Sequence, residues 1–344
     1  MEEACPLSFL LVIGCPERME REDDMNYITI GEFGNKVCIS LTKIMGSEYE
    51  AVYKEVTKNN GVCLHSVMIS KRGSNVAPSI YIDELYEDYR GGRALGEIVK
   101  DILNVYRQNA KEVRINMDFF TRFETVKDRI LYKLINRERN TRLLEEIPYV
   151  KWNDLAIVFY YLFEEERFGK ATILIRNTHM SMWDVDLEDL YKNARSNMLK
   201  LQPEDFMPIG HIINDIILDC NNGSNVGIRA VGILHGEDAV LHGEGVVMYF
   251  LSSESRYFGA AVLLYSKSIK ELAERLERNL IILPSSIHEV LLIPDDNVAE
   301  TAFYRDMVRD VNDTQLEPEE ILSYNIYYYD RFTEQITIKD ADMM

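Results

Sequence analysis

The chain has 344 residues, 47% of them hydrophobic and 28% charged, which excludes wholesale disorder and allows one large domain or two. Its 38 Lys and Arg stand against 57 Asp and Glu, a net charge of −19, and such a surface repels phosphate backbones and anionic membranes. Five scattered cysteines (Cys5, Cys15, Cys38, Cys63, Cys220) without a CxxC give no disulfide framework and no structural zinc site, and fit a reducing cytosol.

In chain order, residues 7–14 form an apolar run ending at Cys15, but Glu2 and Glu3 precede it, opposite in sign to a secretory signal. Residues 1–24 are expected to be a poorly ordered or non-native extension, with Met25 as the start. Residues 26–46 carry no assignable pattern. Residues 49–58 and 62–71 flank Asn59-Asn60-Gly61, whose tolerance of positive φ predicts a hairpin. Residues 74–82 read as extended and 83–90 as a short helix closed by Gly91-Gly92. Leu95, Ile98, Val99, Ile102, Leu103 and Tyr106 recur at helical spacing and predict a helix over 94–109.

Residues 127–136 (KDRILYKLIN) fit helix and strand equally well. Residues 153–163 read as a buried strand and 171–176 as its neighbour, with a turn or short helix at 180–184. Asp186 is positioned to cap a helix over 187–201, and 209–219 forms a further candidate helix. Residues 221–245 hold six of the eighteen glycines and predict a loop. Strand character returns at 246–251, and 259–265 leads into a helix ending near Arg278. Two apolar runs, 280–283 and 290–293, flank the polar link Pro284-Ser285-Ser286-Ile287-His288-Glu289 and read as strands. A helix over 298–312 and a hairpin over 323–330 and 333–339 close the chain. Helices and strands mix without a βαβα rhythm, which predicts an α+β fold with mixed or antiparallel sheets and packed helices. An N-terminal subdomain is expected over 25–118 and a larger domain over 119–344.

The segments KDRILYKLIN, NDLAIVFYYLF, ATILIRNTHMSMWDVDLEDLYKNA and GAAVLLY through LPSSIHEVLLIPD, in this order, resemble an uncharacterised bacterial group, domain-of-unknown-function family 5688. EVTKNNG and GSNVAPSIYI upstream are also similar to it, and the resemblance spans about 47–340. The part from Lys127 onward is more distantly similar to domain-of-unknown-function family 1444, which tips 127–136 towards strand. Both resemblances imply architecture and no activity.

The link at 284–289 holds the residue types of a nucleophilic site: Ser285 and Ser286 as hydroxyls, His288 as base. In extended chain Glu289 faces away from His288, so an acid from elsewhere is required. The competing reading is a Pro-Ser-Ser turn whose hydroxyls satisfy backbone groups. His235-Gly236-Glu237-Asp238 with His242-Gly243-Glu244 brings metal-ligand types together at a spacing that matches no standard motif, so a polar loop is the simpler reading. His179, Trp183, Asp184 and Asp186 read as a pocket rim or as a Trp anchoring a helix start. Lys127, Arg129, Lys133, Arg137, Arg139 and Arg142 form a basic cluster: a solvated strand face, or an anion or partner site. Tyr324, Tyr327, Tyr328 and Tyr329 suit an interface or a plain strand.

No P-loop, dinucleotide fingerprint, HExxH or kinase motif set occurs, so neither cofactor nor metal is expected. No apolar run reaches the roughly 18 residues of a membrane span. The expectation is a cytoplasmic, non-enzymatic protein that binds a protein or small-molecule partner. The alternatives are a hydrolase using Ser285 or Ser286 with His288, and an anion-binding protein using Lys127, Arg129, Lys133 and Arg137.

Overall fold

A computed structural model describes residues 28–74, 77–109, 118–165, 169–210, 248–296 and 301–339. The expectations for residues 1–24 and 221–245, the two His-Gly-Glu triplets among them, lie outside the described residues, as does nearly all of 209–219. The fold is α+β with antiparallel sheets. The chain divides into two compact units, Met1–Lys58 with Val62–Asp118, and Asn59–Gly61 with Phe119–Met344.

The first unit runs α1 (Ile30–Met45), β1 (Tyr49–Thr57), β2 (Cys63–Lys71), β3 (Ser79–Tyr81), α2 (Asp83–Arg90) and α3 (Leu95–Asn109), with sheet order β1-β2-β3. α1 is the element that the sequence pattern misses. Thr29 and Glu32 form a reciprocal capping box at its start, and Phe33, Val37 and Leu41 make its buried face. These pack with Val67, Ile69 and Ile82 and with the α3 stripe Ile98, Val99, Ile102 and Tyr106. Gly34 permits a close approach of α1 to the sheet: a Cβ there would lie 2.9 Å from Tyr53 Cε2 and 3.1 Å from Ile82 Cδ1. Asn60 and Gly61, between β1 and β2, take φ of 60° and 70°, as the Asn-Gly signal requires.

The second unit contains α4 (Phe123–Val126), β4 (Ile130–Asn136), α5 (Thr141–Glu146), β5 (Tyr149–Trp152), β6 (Leu155–Glu165), β7 (Gly169–Leu174), α6 (Asn177–Trp183) and α7 (Leu187–Leu201). It continues with β8 (Glu204–Pro208), β9 (Tyr249–Ser253), α8 (Ser268–Leu276), β10 (Leu280–Pro284), β11 (Glu289–Pro294), α9 (Thr301–Thr314), β12 (Tyr327–Asp330) and β13 (Gln335–Ile338). One sheet has the order β4-β6-β5 with β7 also on β6. The other has the order β13-β12-β10-β11-β9-β8.

The ambiguous segment 127–136 resolves into a turn and the strand β4, whose residues are buried except Lys133. Asp186 caps α7 through the Asp189 amide at 2.8 Å. The stretch 259–265 that leads into the expected helix is a 3-10 segment, Gly259–Leu264, and the helix itself is α8, at whose start Ser266 Oγ accepts the Ile269 amide.

The two apolar runs become β10 and β11, antiparallel neighbours at the middle of the six-stranded sheet. Both faces are covered, which is why the runs are continuously apolar rather than alternating. Leu280, Ile282, Val290 and Leu292 join one core with Ile269, Leu272, Ile157 and Phe159. Ile281, Leu283, Leu291 and Ile293 join another with Tyr304, Val308 and Val311 of α9.

Candidate functional site

β10 and β11 are joined by residues 285–288, a hairpin tip that is buried instead of lying on the surface. Burial requires every backbone group there to be satisfied. The Ser286 amide donates to the Glu289 carbonyl at 3.1 Å and the Ile287 amide to the Glu320 carbonyl at 2.9 Å. The Ile287 carbonyl accepts the Ala260 amide, and the His288 carbonyl accepts the Ser252 hydroxyl at 2.8 Å. Ser286 Oγ accepts the His288 amide at 2.9 Å. Ser285 is fully buried and its hydroxyl has no hydrogen-bond partner among the described residues.

His288 itself is fixed by the segment after β9. The Phe258 amide donates to its Nδ1 at 3.1 Å, and the Phe258 ring stacks on the imidazole at 5.8 Å. An Nδ1 that accepts an amide hydrogen places the imidazole hydrogen on Nε2. Nε2 faces Glu320 Oε1 at 3.8 Å, with both side chains mostly buried. The acid that the link lacks in sequence is therefore supplied by Glu320, from a 3-10 turn 31 positions beyond Glu289 (320 − 289). Glu289 is buried at the start of β11.

Residues 254–258 reach this position by an unusual backbone. Arg256 has φ 52° and Phe258 φ 57°, left-handed conformations that bulky side chains rarely adopt. The turn is held by the Arg256 amide on the Ser253 carbonyl and the Tyr257 amide on Ser255 Oγ. Gly259 follows because nothing larger fits: a Cβ would lie 2.5 Å from the His288 carbonyl oxygen and 2.6 Å from the Ser253 nitrogen. Tyr257 is left exposed, its ring 5.7 Å from that of His288.

Lys133 joins the same site. Its Nζ sits 4.0 Å from the centroid of the Phe258 ring, within cation–π range, and Tyr160 meets that ring edge-on at 5.4 Å. Lys133, from the basic cluster, and His288, from the polar link, thus meet on one phenylalanine.

The model of a family of unknown function, DUF5688, matches residues 30–331. The chain belongs to the DUF5688 family. No curated protein and no solved structure matches it significantly.

The rest of the basic cluster in this DUF5688 chain makes separate contacts. Lys127 pairs with Glu124 at 2.5 Å and Arg129 with Glu164 at 3.7 Å. Arg137 starts the turn after β4, where its amide meets the Asp154 carbonyl, and Arg139 lies over the Tyr324 ring. Of the anion-site candidates Lys127, Arg129, Lys133 and Arg137, only Lys133 sits on β4. Trp183 is buried, its Nε1 donating to the Phe120 carbonyl at 2.8 Å, and His179 Nδ1 accepts the Arg176 amide at 3.1 Å. Asp184, Asp186 and Asp189 line an open cleft beside α6 and α7. The tyrosines are individually tied down: Tyr324 to Asp313, Tyr328 to Asn279 and Tyr327 to Asp154. Among the described residues no group of three or more His, Cys, Asp or Glu could hold a metal, and no helix is long and apolar enough to cross a membrane.

Sequence reasoning missed Tyr257, Phe258 and Glu320. The first two carry a signal, since an aromatic pair followed by Gly259 after a run of serines marks a constrained turn. Glu320, in the acidic run 317–320, carries none.

Proposed function

We propose that the chain is a non-enzymatic binding protein whose partner docks on Tyr257 and His288, at the rim of the buried hairpin tip. The strained segment 254–258 is the observation that carries this reading. A bulky residue at positive φ costs about 1–3 kcal/mol and persists where the surroundings over-determine it, as at ligand clamps. Here the strain buries Phe258, orients His288 and leaves Tyr257, 45% exposed, against the imidazole. An exposed tyrosine on a rigid base is an efficient anchor, because it adds area at low entropic cost.

The hydrolase alternative has less support. Neutral His288 carries its hydrogen on Nε2, and its Nδ1 lone pair is occupied by an amide, so the ring offers a serine no free base. Among the described residues the Ser285 hydroxyl meets no base, and Ser286 Oγ is taken up by the His288 backbone amide. Anion binding by Lys127, Arg129, Lys133 and Arg137 as one cluster has less support, because Lys127 and Arg129 already pair with Glu124 and Glu164 and Lys133 lies over the Phe258 ring.

Free Cys38 and Cys63 support a reducing, cytoplasmic setting, the family resemblance supports a bacterial source, and the charge of −19 argues against nucleic-acid partners. The test is a thermal-shift screen of wild type and Tyr257→Ala against a panel of carboxylates, phosphates, nucleosides and basic or aromatic peptides. A compound that raises the wild-type melting temperature and leaves the variant unmoved supports the site. Equal shifts in both proteins, or none with any member, overturn it. Ester hydrolysis abolished by His288→Ala would put the hydrolase reading in its place.

A further inference from the structure

The first unit contains a second group of chemistry-bearing side chains, on the open end of the β1–β2 sheet face. His65 on β2 is held twice by Asp83, the first residue of α2. Its Nδ1 lies 2.7 Å from Asp83 Oδ1, and its main-chain amide donates to Asp83 Oδ2 at 2.9 Å. The side chains of this pair are 21% and 33% exposed. The Tyr53 ring lies parallel to the imidazole at 6.1 Å. A carboxylate on Nδ1 keeps the hydrogen of the neutral ring there and leaves Nε2 with its lone pair, the tautomer of an oriented general base. This is the reverse of His288.

Cys63 is two residues from His65 on the same strand. Successive side chains alternate, so both project from one face, with Cα atoms about 7 Å apart. Cys63 is exposed, and the pKa of the Tyr53 hydroxyl is raised by burial first and then by Glu55, Cys63 and Asp83. Glu55 stands directly opposite His65 in the ladder. An imidazole held in this tautomer takes up a proton on Nε2 as a nearby nucleophile reacts, by general-base catalysis.

We propose that Cys63 is a reactive thiol served by His65 as base and Asp83 as orienting acid, and that it takes up low-molecular-weight disulfides. The Cys63 S–H proton passes to His65 Nε2 while the sulfur attacks one sulfur of the disulfide. The S–S bond breaks, a mixed disulfide forms on Cys63, and the departing thiolate receives the proton back from His65. One thiol and one disulfide are consumed, and one mixed disulfide and one thiol are produced. The pair Cys63 and His65 is independent of the Tyr257–His288 site.

The experiment follows mixed-disulfide formation at Cys63 with oxidised glutathione at neutral pH, by mass spectrometry of the Cys63 peptide. It compares the intact wild-type protein, Asp83→Asn, His65→Gln and a free cysteine peptide. In Asp83→Asn the side-chain carbonyl still accepts the His65 amide, but the new side-chain nitrogen donates to Nδ1 and moves the ring hydrogen to Nε2, so the base is lost while the fold is kept. The expected result is wild-type reaction at least about tenfold faster than the free peptide, with both variants falling to the peptide rate. Wild type reacting no faster than the peptide overturns the proposal even if a variant fails to fold. Folded variants that keep the wild-type rate also overturn it.

Discussion

The Phe258 amide and His288 Nδ1 form a 3.1 Å hydrogen bond between residues 30 positions apart, under rings stacked within 6° of parallel. The bond closes a left-handed turn, fixes a tautomer and satisfies a buried donor, so three properties of the site depend on one acceptor. His288→Phe keeps the stack and removes the acceptor. It is expected to cost about 1–3 kcal/mol in urea unfolding, the penalty of an unpaired buried amide. His288→Asn, which restores an acceptor near the Nδ1 position, should recover part of that loss.

Two glycines are required by contact and not by φ. Gly34→Ala sets a methyl against the Tyr53 ring and Ile82, side chains able to shift slightly, and should cost about 1–3 kcal/mol despite the better helix propensity of Ala. Gly259→Ala meets the backbone of residues 253 and 288, which cannot move aside. It should cost more than Gly34→Ala or prevent folding. Thermal unfolding of the two variants ranks them, and the opposite order would contradict these contacts.

Asp154, in the turn between β5 and β6, accepts the Ser323 hydroxyl at 2.6 Å, the Asn325 side-chain amide at 3.0 Å and the Tyr327 hydroxyl at 2.7 Å. Tyr327 is buried, and its pKa is pushed well above the ordinary value by burial and then by the Asp154 charge. Asp154→Ala leaves three donors without their shared acceptor and should cost about 3 kcal/mol or more. Tyr327→Phe removes one of the three and should cost about 1–2 kcal/mol. Chemical denaturation of both variants checks the ratio.

His179 has its pKa lowered from 6.5, by burial first and by the Arg176 guanidinium second. The unfolded chain therefore takes up the proton before the folded one does. The contribution of neutral His179 is complete above pH 6.5 and is lost as the pH falls through that value towards the lower folded pKa. His179→Gln keeps an acceptor for the Arg176 amide and does not titrate. Wild type should lose stability relative to this variant between pH 7.5 and pH 5 (about the range of the shift), read from urea midpoints. Parallel curves for the two proteins would show that His179 does not couple folding to protons.

Local signals were strong where one element carries its own pattern. Asn60-Gly61 announced positive φ, Asp186 announced the cap of α7, and the stripe from Leu95 to Tyr106 announced α3. α1 was missed: the Thr29–Glu32 capping box marks its start, but Gly31, Gly34 and its β-branched residues masked the helical period. Residues 127–136 stayed ambiguous because a strand buried on both faces has no alternation to display.

The amino-acid sequence by itself determined the α+β class, the strand identity of 280–283 and 290–293, and the presence of Ser285, Ser286 and His288 in the link between them. These follow from local period and composition. Tertiary structure alone decided that the link is buried, that Phe258 and Glu320 attend His288, that Lys133 leaves the basic cluster for the Phe258 ring, and that Asp83 orients His65. Each pairing joins residues 18 or more positions apart (83 − 65 = 18 for the nearest), so it depends on how strands and turns are brought together in space. No local pattern encodes a hydrogen bond whose two ends lie on different elements.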